Sequence, residues 1–178
     1  LAVNYYLGDV VLSATAGRYT QLPVSRLLAQ ENKLKSESCI QYNVGAQYEG
    51  DGRFYKAELY YKKYDRLALV EKGTVDAAEV LTSGGYGYSK GFDLFFNDRV
   101  LLKNLEYQLS YTYNIAKRKF QEYTELTTPQ YATQHNASLV LKYSIPRIST
   151  IVGLTNRFSS GRPYHNPDLL GLMNDHVK

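Results

Sequence analysis

The chain has 178 residues, of which 44% are hydrophobic, and it contains 18 tyrosines and no tryptophan. No apolar run approaches the roughly twenty residues that a transmembrane helix requires, so a helical membrane span is excluded. The net charge is +4, but the lysines and arginines are scattered among acidic residues. Because no basic cluster could follow a phosphate backbone, the sequence argues against nucleic-acid binding.

A two-residue period of apolar and polar side chains recurs along the chain and predicts β-strands. The clearest example runs from Leu105 to Ile115, where odd positions are apolar or aromatic and even positions are polar. Because successive side chains of a strand point to opposite faces, this segment has one apolar and one polar face. In chain order the alternating segments are Val10–Thr15, Ile40–Glu49, Tyr55–Lys62, Phe92–Asn97, Leu105–Ile115, Asn136–Ser144 and Val152–Phe158, with a partial strand before Gly8. The register of the first and last full segments stays open by one residue.

The composition of the two faces favours a membrane barrel. Several apolar faces end in tyrosine, whose ring suits the level where lipid meets water, and the polar faces suit an aqueous lumen. We therefore predict an all-β fold, an antiparallel up-and-down meander of about seven to eight long strands that is part of a transmembrane β-barrel. A soluble lipocalin-like barrel would instead enclose its apolar faces, so the exposure of Tyr107, Leu109 and Tyr111 distinguishes the two.

The predicted connections alternate between short and long. The short ones are Glu49–Arg53, Asn97–Asn104 and Ile145–Arg147, and the long ones are Tyr19–Ser36, Asp65–Gly85 and Lys117–Gln134. Outer-membrane barrels have short periplasmic turns and long extracellular loops, so this rhythm predicts both topology and orientation. The glycine cluster Gly84–Gly87 is interpreted as a flexible loop that enters a strand.

Little in the sequence indicates catalysis. Cys39 has no sequence partner that would make it a nucleophile, and His135, His165 and His176 are spaced too irregularly for a metal site. We expect no metal, no cofactor and no enzymatic activity, although carboxylates such as Glu58 lie on the polar faces.

Five stretches, taken in order, carry a resemblance to a known family. They are Gly17–Pro23 (GRYTQLP), Glu37–Leu67, Gly84–Phe96 (GGYGYSKGFDLFF), Pro129–Tyr143 (PQYATQHNASLVLKY) and Ser160–Tyr164 (SGRPY). Together they resemble successive strands from the C-terminal part of the barrel of TonB-dependent outer-membrane receptors of the Bacteroidetes type.

The resemblance implies a parent barrel of about twenty-two strands that encloses a plug and imports a nutrient ligand with energy from TonB. Residues 1–178 would be a single barrel segment in which the plug domain and the final strand or strands are absent. The implied location is the bacterial outer membrane, with lipid as one partner and TonB as another through the missing N-terminal region. The fragment alone would not transport, and it would self-associate through its strand edges. A small self-contained outer-membrane barrel with a structural or adhesive role and a soluble lipocalin-like barrel remain the alternatives.

If the receptor interpretation holds, the ligand contacts should come mainly from the long loops. These loops offer polar and aromatic side chains that can hydrogen-bond to a solute or stack on it. The candidates are Arg26, Asn32, Tyr123, Gln130, Arg162 and Tyr164. The ligand itself stays open between a siderophore, a glycan, a peptide and a vitamin.

Overall fold

The computed structural model describes residues 1–31, 33–72, 79–171, 173 and 175–176. The strands are β1 Ala2–Leu7, β2 Val10–Gln21, β3 Glu37–Gly50, β4 Arg53–Lys72, β5 Glu79–Leu102, β6 Leu105–Phe120, β7 Tyr123–Thr127, β8 His135–Ile145, β9 Thr150–Ser159, β10 Pro163–Tyr164 and β11 Asp175–His176. One short helix, α1, spans Ser25–Gln30, and a 3₁₀ turn spans Pro146–Ile148. No helix in the described part of the chain is long and apolar enough to cross a bilayer.

The long strands form one antiparallel sheet in the order β1-β2-β3-β4-β5-β6-β8-β9. Because neighbours in the sheet follow one another in the chain, the predicted up-and-down meander is confirmed. Strand β7 pairs with the C-terminal end of β6, at Arg118 and Phe120. Strands β10 and β11 pair in a separate small ribbon. Within the described residues, β1 and β9 form the two edges of the sheet.

The register of the sheet confirms the predicted faces. Leu109 of β6 pairs with Phe96 of β5 and with Leu139 of β8, and Val10 of β2 pairs with Tyr48 of β3, so apolar positions align across the strands. The faces of β2 and β9, which the sequence left open, follow from the same register, because Leu12 pairs with Ala46 and Leu154 with Leu141. These apolar side chains form one continuous band, which we call the apolar belt.

The apolar belt lies on the outside of the sheet. Val44 and Leu59 are 58% and 61% exposed, and Leu109 on the same face is 37% exposed. Tyr107 and Tyr111 are only half-buried, whereas the opposite face of the sheet carries the polar side chains and a depression. This arrangement is the reverse of a lipocalin, in which the apolar faces are enclosed.

The apolar belt is inclined to the strands. Cross-strand pairing connects Val44, at the middle of the apolar run of β3, to His135 on β8. The apolar run of β8 is centred between Leu139 and Leu141, about five residues from His135, which corresponds to ~17 Å along the strand. Four strand spacings separate β3 from β8, or ~19 Å, so the belt makes an angle of about 40° with the cross-strand direction. Strands of membrane barrels tilt by ~35–45°, so this inclination is the one expected of a lipid-facing band.

The turn between β3 and β4 is short and is specified by sequence. Asp51 and Gly52 both have positive φ values, 49° and 75°. Two positive φ angles in a two-residue turn suit the right-handed twist of the flanking strands, and an Asp-Gly pair adopts them readily.

Asp98 stabilises the turn between β5 and β6. Its Oδ1 accepts hydrogen bonds from the amides of Val100 and Leu101 at 2.7 and 2.8 Å, and its Oδ2 accepts one from the Tyr55 hydroxyl. The Arg53 Nε lies 3.5 Å from the same carboxylate, which is only 1% exposed. On β5, Asp98 lies beyond the apolar belt, on the side of the short turn. The hydrogen bond from Tyr55, and after it those from the Leu101 and Val100 amides, hold the pKa of Asp98 below its ordinary value.

The long loop predicted for Asp65–Gly85 is wrong over most of its length. Strand β4 continues to Lys72 and β5 begins at Glu79, while residues 73–78 lie outside the described residues. A bulge at Arg66, whose φ is 60°, shifts the register and bends β4.

The glycine cluster Gly84–Gly87 is likewise strand and not flexible loop. A Cβ on Gly85 would lie 2.6 Å from the carbonyl oxygens of both Leu67 and Lys119. Glycine is therefore needed at this position because two neighbouring backbones approach β5 closely.

The buried apolar side chains lie mainly at the outer end of the sheet, where the long connections fold together. Leu67, Ala68 and Leu69 of β4 are buried, as is Leu27 of α1. The tip of the β6–β7 hairpin joins this cluster, since the Gln121 amide donates to the Ala68 carbonyl and the Gln121 carbonyl accepts from the Val70 amide at 2.8 Å. The long connections are therefore partly folded onto the strands.

Candidate ligand-binding site

A hydrogen-bonded group occupies the middle of the polar face. The hydroxyls of Tyr60 and Ser89 both donate to Asn114 Oδ1, at 3.0 and 2.7 Å. Gly91 of β5 lies between Tyr60 of β4 and Asn114 of β6. A Cβ on Gly91 would overlap the Tyr113 carbonyl and come within 2.8 Å of the Tyr60 hydroxyl oxygen. Glycine at this position lets the tyrosine reach across β5 to Asn114.

Three carboxylates of the polar face have positively charged or hydrogen-bond-donating neighbours. Glu58 lies 2.9 Å from the Lys56 ammonium, and Asp93 accepts a 2.5 Å hydrogen bond from Thr112. Glu106, nearer the short turns, lies 3.3 Å from Arg99 and 3.6 Å from Lys142. Because each of these three carboxylates has a positively charged or hydrogen-bond-donating neighbour, none of them is an isolated general acid or base.

This polar wall contains a depression of about 380 Å³. Residues Tyr131–Thr133 of the connection between β7 and β8 fold over it and form its outer rim. The wall residues that line it are Gln41, Asn43, Glu58, Tyr60, Lys62, Ser89, Asp93, Thr112, Asn114, Ala116, Arg118 and Asn136.

A second depression, of about 600 Å³, lies farther out and brings most of the predicted ligand residues together. Tyr123, Gln130, Arg162 and Tyr164 all line it, although they come from separate segments of the chain. The sequence-based prediction did not place them side by side, and their role in binding stays a prediction. We call this cavity the outer depression.

The remaining two candidates are not part of the outer depression as described. Arg26 is exposed on α1 and does not line this cavity. Asn32 lies outside the described residues.

Aromatic contacts organise the wall of the outer depression. Phe120 and Tyr123 face each other across the β6–β7 hairpin with ring centroids 5.2 Å apart and an interplanar angle of 6°. The Arg118 guanidinium lies 4.1 Å from the Tyr64 ring and 5.8 Å from the Tyr131 ring, so it connects the strand wall to the β7–β8 connection. Arg118 also links the two cavities, because it lines the polar depression and contacts rings that line the outer one.

Sequence reasoning missed Phe120, Tyr131 and Arg118. For Phe120 and Arg118 a signal was present, because the two-residue period of β6, extended past Ile115, places these even-numbered positions on the polar face. Tyr131 has no such signal, since its position depends on how an irregular connection folds.

The other residues considered for chemistry have ordinary surroundings. Cys39 is a free thiol on the polar side of β3. His135 is an outward residue at the end of the apolar belt, where its Nδ1 is 2.8 Å from the Tyr111 hydroxyl. Among the described residues, no group of three His, Cys, Asp or Glu side chains is placed to hold a metal ion.

No protein-family model and no curated protein matches the chain. Solved structures do match it. The FrpB iron transporter from Neisseria meningitidis superposes with a TM-score of 0.71 at 12% identity, over 91% of this chain and 26% of the FrpB chain. The P. aeruginosa FpvA structure, a complex with pyoverdine and iron, gives a TM-score of 0.73 at 17% identity, over 91% of this chain and 22% of FpvA.

These neighbours are TonB-dependent receptors, so the resemblance drawn from the sequence is confirmed at the level of fold. The chain has the fold of a segment of the barrels of these two proteins. The chain spans about a quarter of the length of either neighbour. The Bacteroidetes affinity stays a prediction, because it is not shown by these neighbours.

Proposed function

We propose that the chain forms part of the barrel wall of a TonB-dependent receptor that imports a nutrient ligand across the bacterial outer membrane. The observation that carries this proposal is the apolar belt, because it is exposed on the outward face of the sheet and its inclination of about 40° matches the tilt of membrane strands. The fold shared with FrpB and FpvA supports the same function. In this proposal residues 1–178 are one barrel segment, and the plug, the TonB contact and the final strands belong to other parts of the parent protein.

The two depressions have different roles in this proposal. The polar depression belongs to the lumen wall, where paired charges and hydrogen-bonded amides contact water or the plug. The outer depression captures the ligand, and its rings and Arg162 suit a solute that carries both a flat surface and an anionic or hydrogen-bond-accepting group. Siderophores and acidic glycans share that chemistry.

For the chain in isolation, we expect the edges of β1 and β9 to pair with other copies. Light scattering across a concentration series in detergent-free buffer would detect this association, and a stable monomeric mass throughout would contradict it.

The membrane role is tested with a matched pair of labels on β4. Leu59 belongs to the apolar belt and Glu58, its neighbour in sequence, lines the polar depression. In the full-length protein with Cys39→Ala, a fluorescent label on Leu59→Cys should be quenched by brominated lipid, and the same label on Glu58→Cys should be quenched by an aqueous quencher. Equal quenching of both labels by lipid, or the reverse pattern, would overturn the proposal.

A further inference from the structure

One aromatic side chain lines both depressions. Tyr131 forms part of the outer rim of the polar depression and part of the wall of the outer depression, and among the described residues it alone lines both cavities. Its side chain is 55% exposed. A solute that passes from the outer depression to the polar depression therefore meets the Tyr131 ring.

The backbone on both sides of Tyr131 is held in place. The Ala132 amide donates to the Pro129 carbonyl at 2.9 Å, which closes a turn around Tyr131, and the side chains of Pro129 and Ala132 are buried. The connection is then fixed to β6, because the Asn114 amide donates to the Gln134 carbonyl at 2.9 Å. The part that can move is the ring itself, since exposed side chains change rotamer within nanoseconds while the backbone stays in place.

The Tyr131 ring lies against a guanidinium that has no carboxylate partner among the described residues. The guanidinium carbon of Arg118 is 5.8 Å from the centroid of the Tyr131 ring and 4.1 Å from that of Tyr64. No described carboxylate lies within ion-pair distance of Arg118, and its Nε is buried without a hydrogen-bond partner. Lys56 on the same polar face differs, because it lies beside Glu58.

A second cation of the polar depression has similar surroundings. Lys62 is half-buried, and its ammonium lies 5.5 Å from the centroid of the Tyr60 ring. Within the described residues, no carboxylate is at ion-pair distance from Lys62 either. The outer part of the polar depression therefore carries two cations whose charge is met by aromatic faces, and both attract an anion.

An anion is a stronger partner for Arg118 than the Tyr131 ring is. Cation–π contacts weaken beyond about 6 Å from the ring centroid, so a contact at 5.8 Å is close to that limit. A guanidinium forms two parallel charge-assisted hydrogen bonds with a carboxylate, and these are stronger than a partly exposed cation–π contact. A carboxylate that reaches Arg118 therefore displaces the ring.

We propose that Tyr131 is a gate over Arg118, which an anionic group of the imported solute opens. A solute in the outer depression presents its carboxylate to the guanidinium, the Tyr131 ring swings away, and the path to the polar depression is cleared. A neutral solute leaves the ring in place. This inference rests on the proposed import function, and it adds the step by which a solute leaves the outer depression.

The gate is tested with two probes of nearly the same shape, benzoate and benzamide, of which only benzoate is charged. Their dissociation constants are measured by saturation-transfer NMR on the full-length protein in zwitterionic nanodiscs. Because removal of the ring frees Arg118, Tyr131→Ala should bind benzoate about two- to fivefold more tightly and benzamide no more tightly. Arg118→Gln should weaken benzoate binding by about tenfold or more, and Tyr131→Ala added to this variant should not tighten it.

Two further variants control for the loss of an aromatic surface. Tyr123→Ala removes another ring of the outer depression, but Tyr123 is not one of the rings that contact the Arg118 guanidinium. It should therefore not tighten benzoate binding. Tyr131→Leu keeps an apolar side chain without a π face, so it should tighten benzoate binding, and it provides the test if Tyr131→Ala does not fold. Tighter benzoate binding in Tyr123→Ala, or no tightening in either Tyr131 variant, would overturn the inference.

The movement of the ring is measured separately, with 3-fluorotyrosine at position 131 and fluorine NMR of the full-length protein. Saturating benzoate should shift the resonance toward the value found for Arg118→Gln without a probe, and benzamide should not. A resonance that stays in place while benzoate binds would mean that the ring does not leave Arg118, and the gate would be wrong.

The two proposals fail in different ways. If the label on Leu59→Cys is quenched by lipid but Tyr131→Ala does not tighten benzoate binding, the barrel function stands and the gate is wrong. The same result is expected if a carboxylate from another part of the full-length protein occupies Arg118. If the label is not quenched by lipid, the membrane function itself is wrong.

Discussion

An arginine in place of Leu109 tests the position of the apolar belt most directly. Leu109 lies near the middle of the apolar run of β6, which extends from Leu105 to Ile115, and it pairs with outward Phe96 and Leu139. An arginine on the lipid face near the bilayer midplane costs about 2–4 kcal/mol. This cost corresponds to a loss of about thirty-fold to several hundred-fold in the folding equilibrium constant.

The assay is urea-dependent folding of the full-length protein in phospholipid vesicles, compared among three arginine variants of β6. Gln108→Arg adds the same side chain on the lumen face, where water hydrates it, and it should change stability little. Leu105→Arg lies at the boundary of the belt, where the cost falls to about 0–1 kcal/mol. The expected order of destabilisation is therefore Leu109, then Leu105, then Gln108.

Two outcomes would refute this reasoning. Equal destabilisation by Leu109→Arg and Gln108→Arg would mean that the faces of β6 are not lipid and lumen. A larger cost at Leu105 than at Leu109 would mean that the apolar belt is not centred near Leu109 on β6.

Two further predictions concern the ends of the strands. Gly85→Ala should destabilise the outer part of the sheet by about 1–3 kcal/mol in urea unfolding, because its Cβ would meet two carbonyl oxygens at 2.6 Å. Gly84→Ala is the matched control, since its nearest neighbour is at 3.4 Å, and equal costs would contradict the close approach. Asp98, whose pKa is lowered by hydrogen bonds in the folded protein, should stabilise its turn above its unfolded pKa and lose that contribution as the pH falls through the folded pKa. Hydrogen exchange at the Val100 and Leu101 amides should accelerate, relative to the Asp98→Asn variant, only over that acidic range, and an identical pH profile in both proteins would contradict the role of the carboxylate.

The sequence predicts the strands well within the apolar belt and poorly beyond it. Within the apolar belt, outward positions are apolar and inward positions polar, so the period of two is clear from Leu105 to Ile115. Beyond the belt, outward positions become polar as well, as at Lys117, and the alternation disappears although the strand continues to Phe120. The same change at Lys63 and Lys90 explains why the outer ends of β4 and β5 were assigned to a loop.

Glycine was misinterpreted for a related reason. A cluster of glycines between periodic segments usually marks a loop. In this chain Gly85 permits a close approach of neighbouring strands at the bulge of β4, and that requirement is visible only when the partner strands are in place.

Prediction of the candidate site was limited by long-range folding. Tyr123, Gln130, Arg162 and Tyr164 were chosen because polar and aromatic loop residues suit ligand contacts, but nothing in the sequence indicated that they surround one cavity. The β6–β7 hairpin that carries Tyr123 bonds at its tip to β4, through Gln121. Contacts of this kind link residues about fifty positions apart, so local patterns cannot specify them.

Strand β6 shows how one alternating sequence can serve three environments. In the proposed barrel its outward residues up to Ile115 face lipid, and its inward residues such as Asn114 form the hydrogen-bonded lumen wall. Beyond the belt, inward Arg118 contacts the aromatic wall of the outer depression, while outward Lys117 is exposed. In the proposed barrel the outer depression lies outside the hydrocarbon region, so its guanidinium groups would not carry the cost of burial in lipid and would remain available to a solute arriving from water. If the proposed function holds, ligand capture and lipid contact can therefore change independently, through inward and outward positions of the same strand.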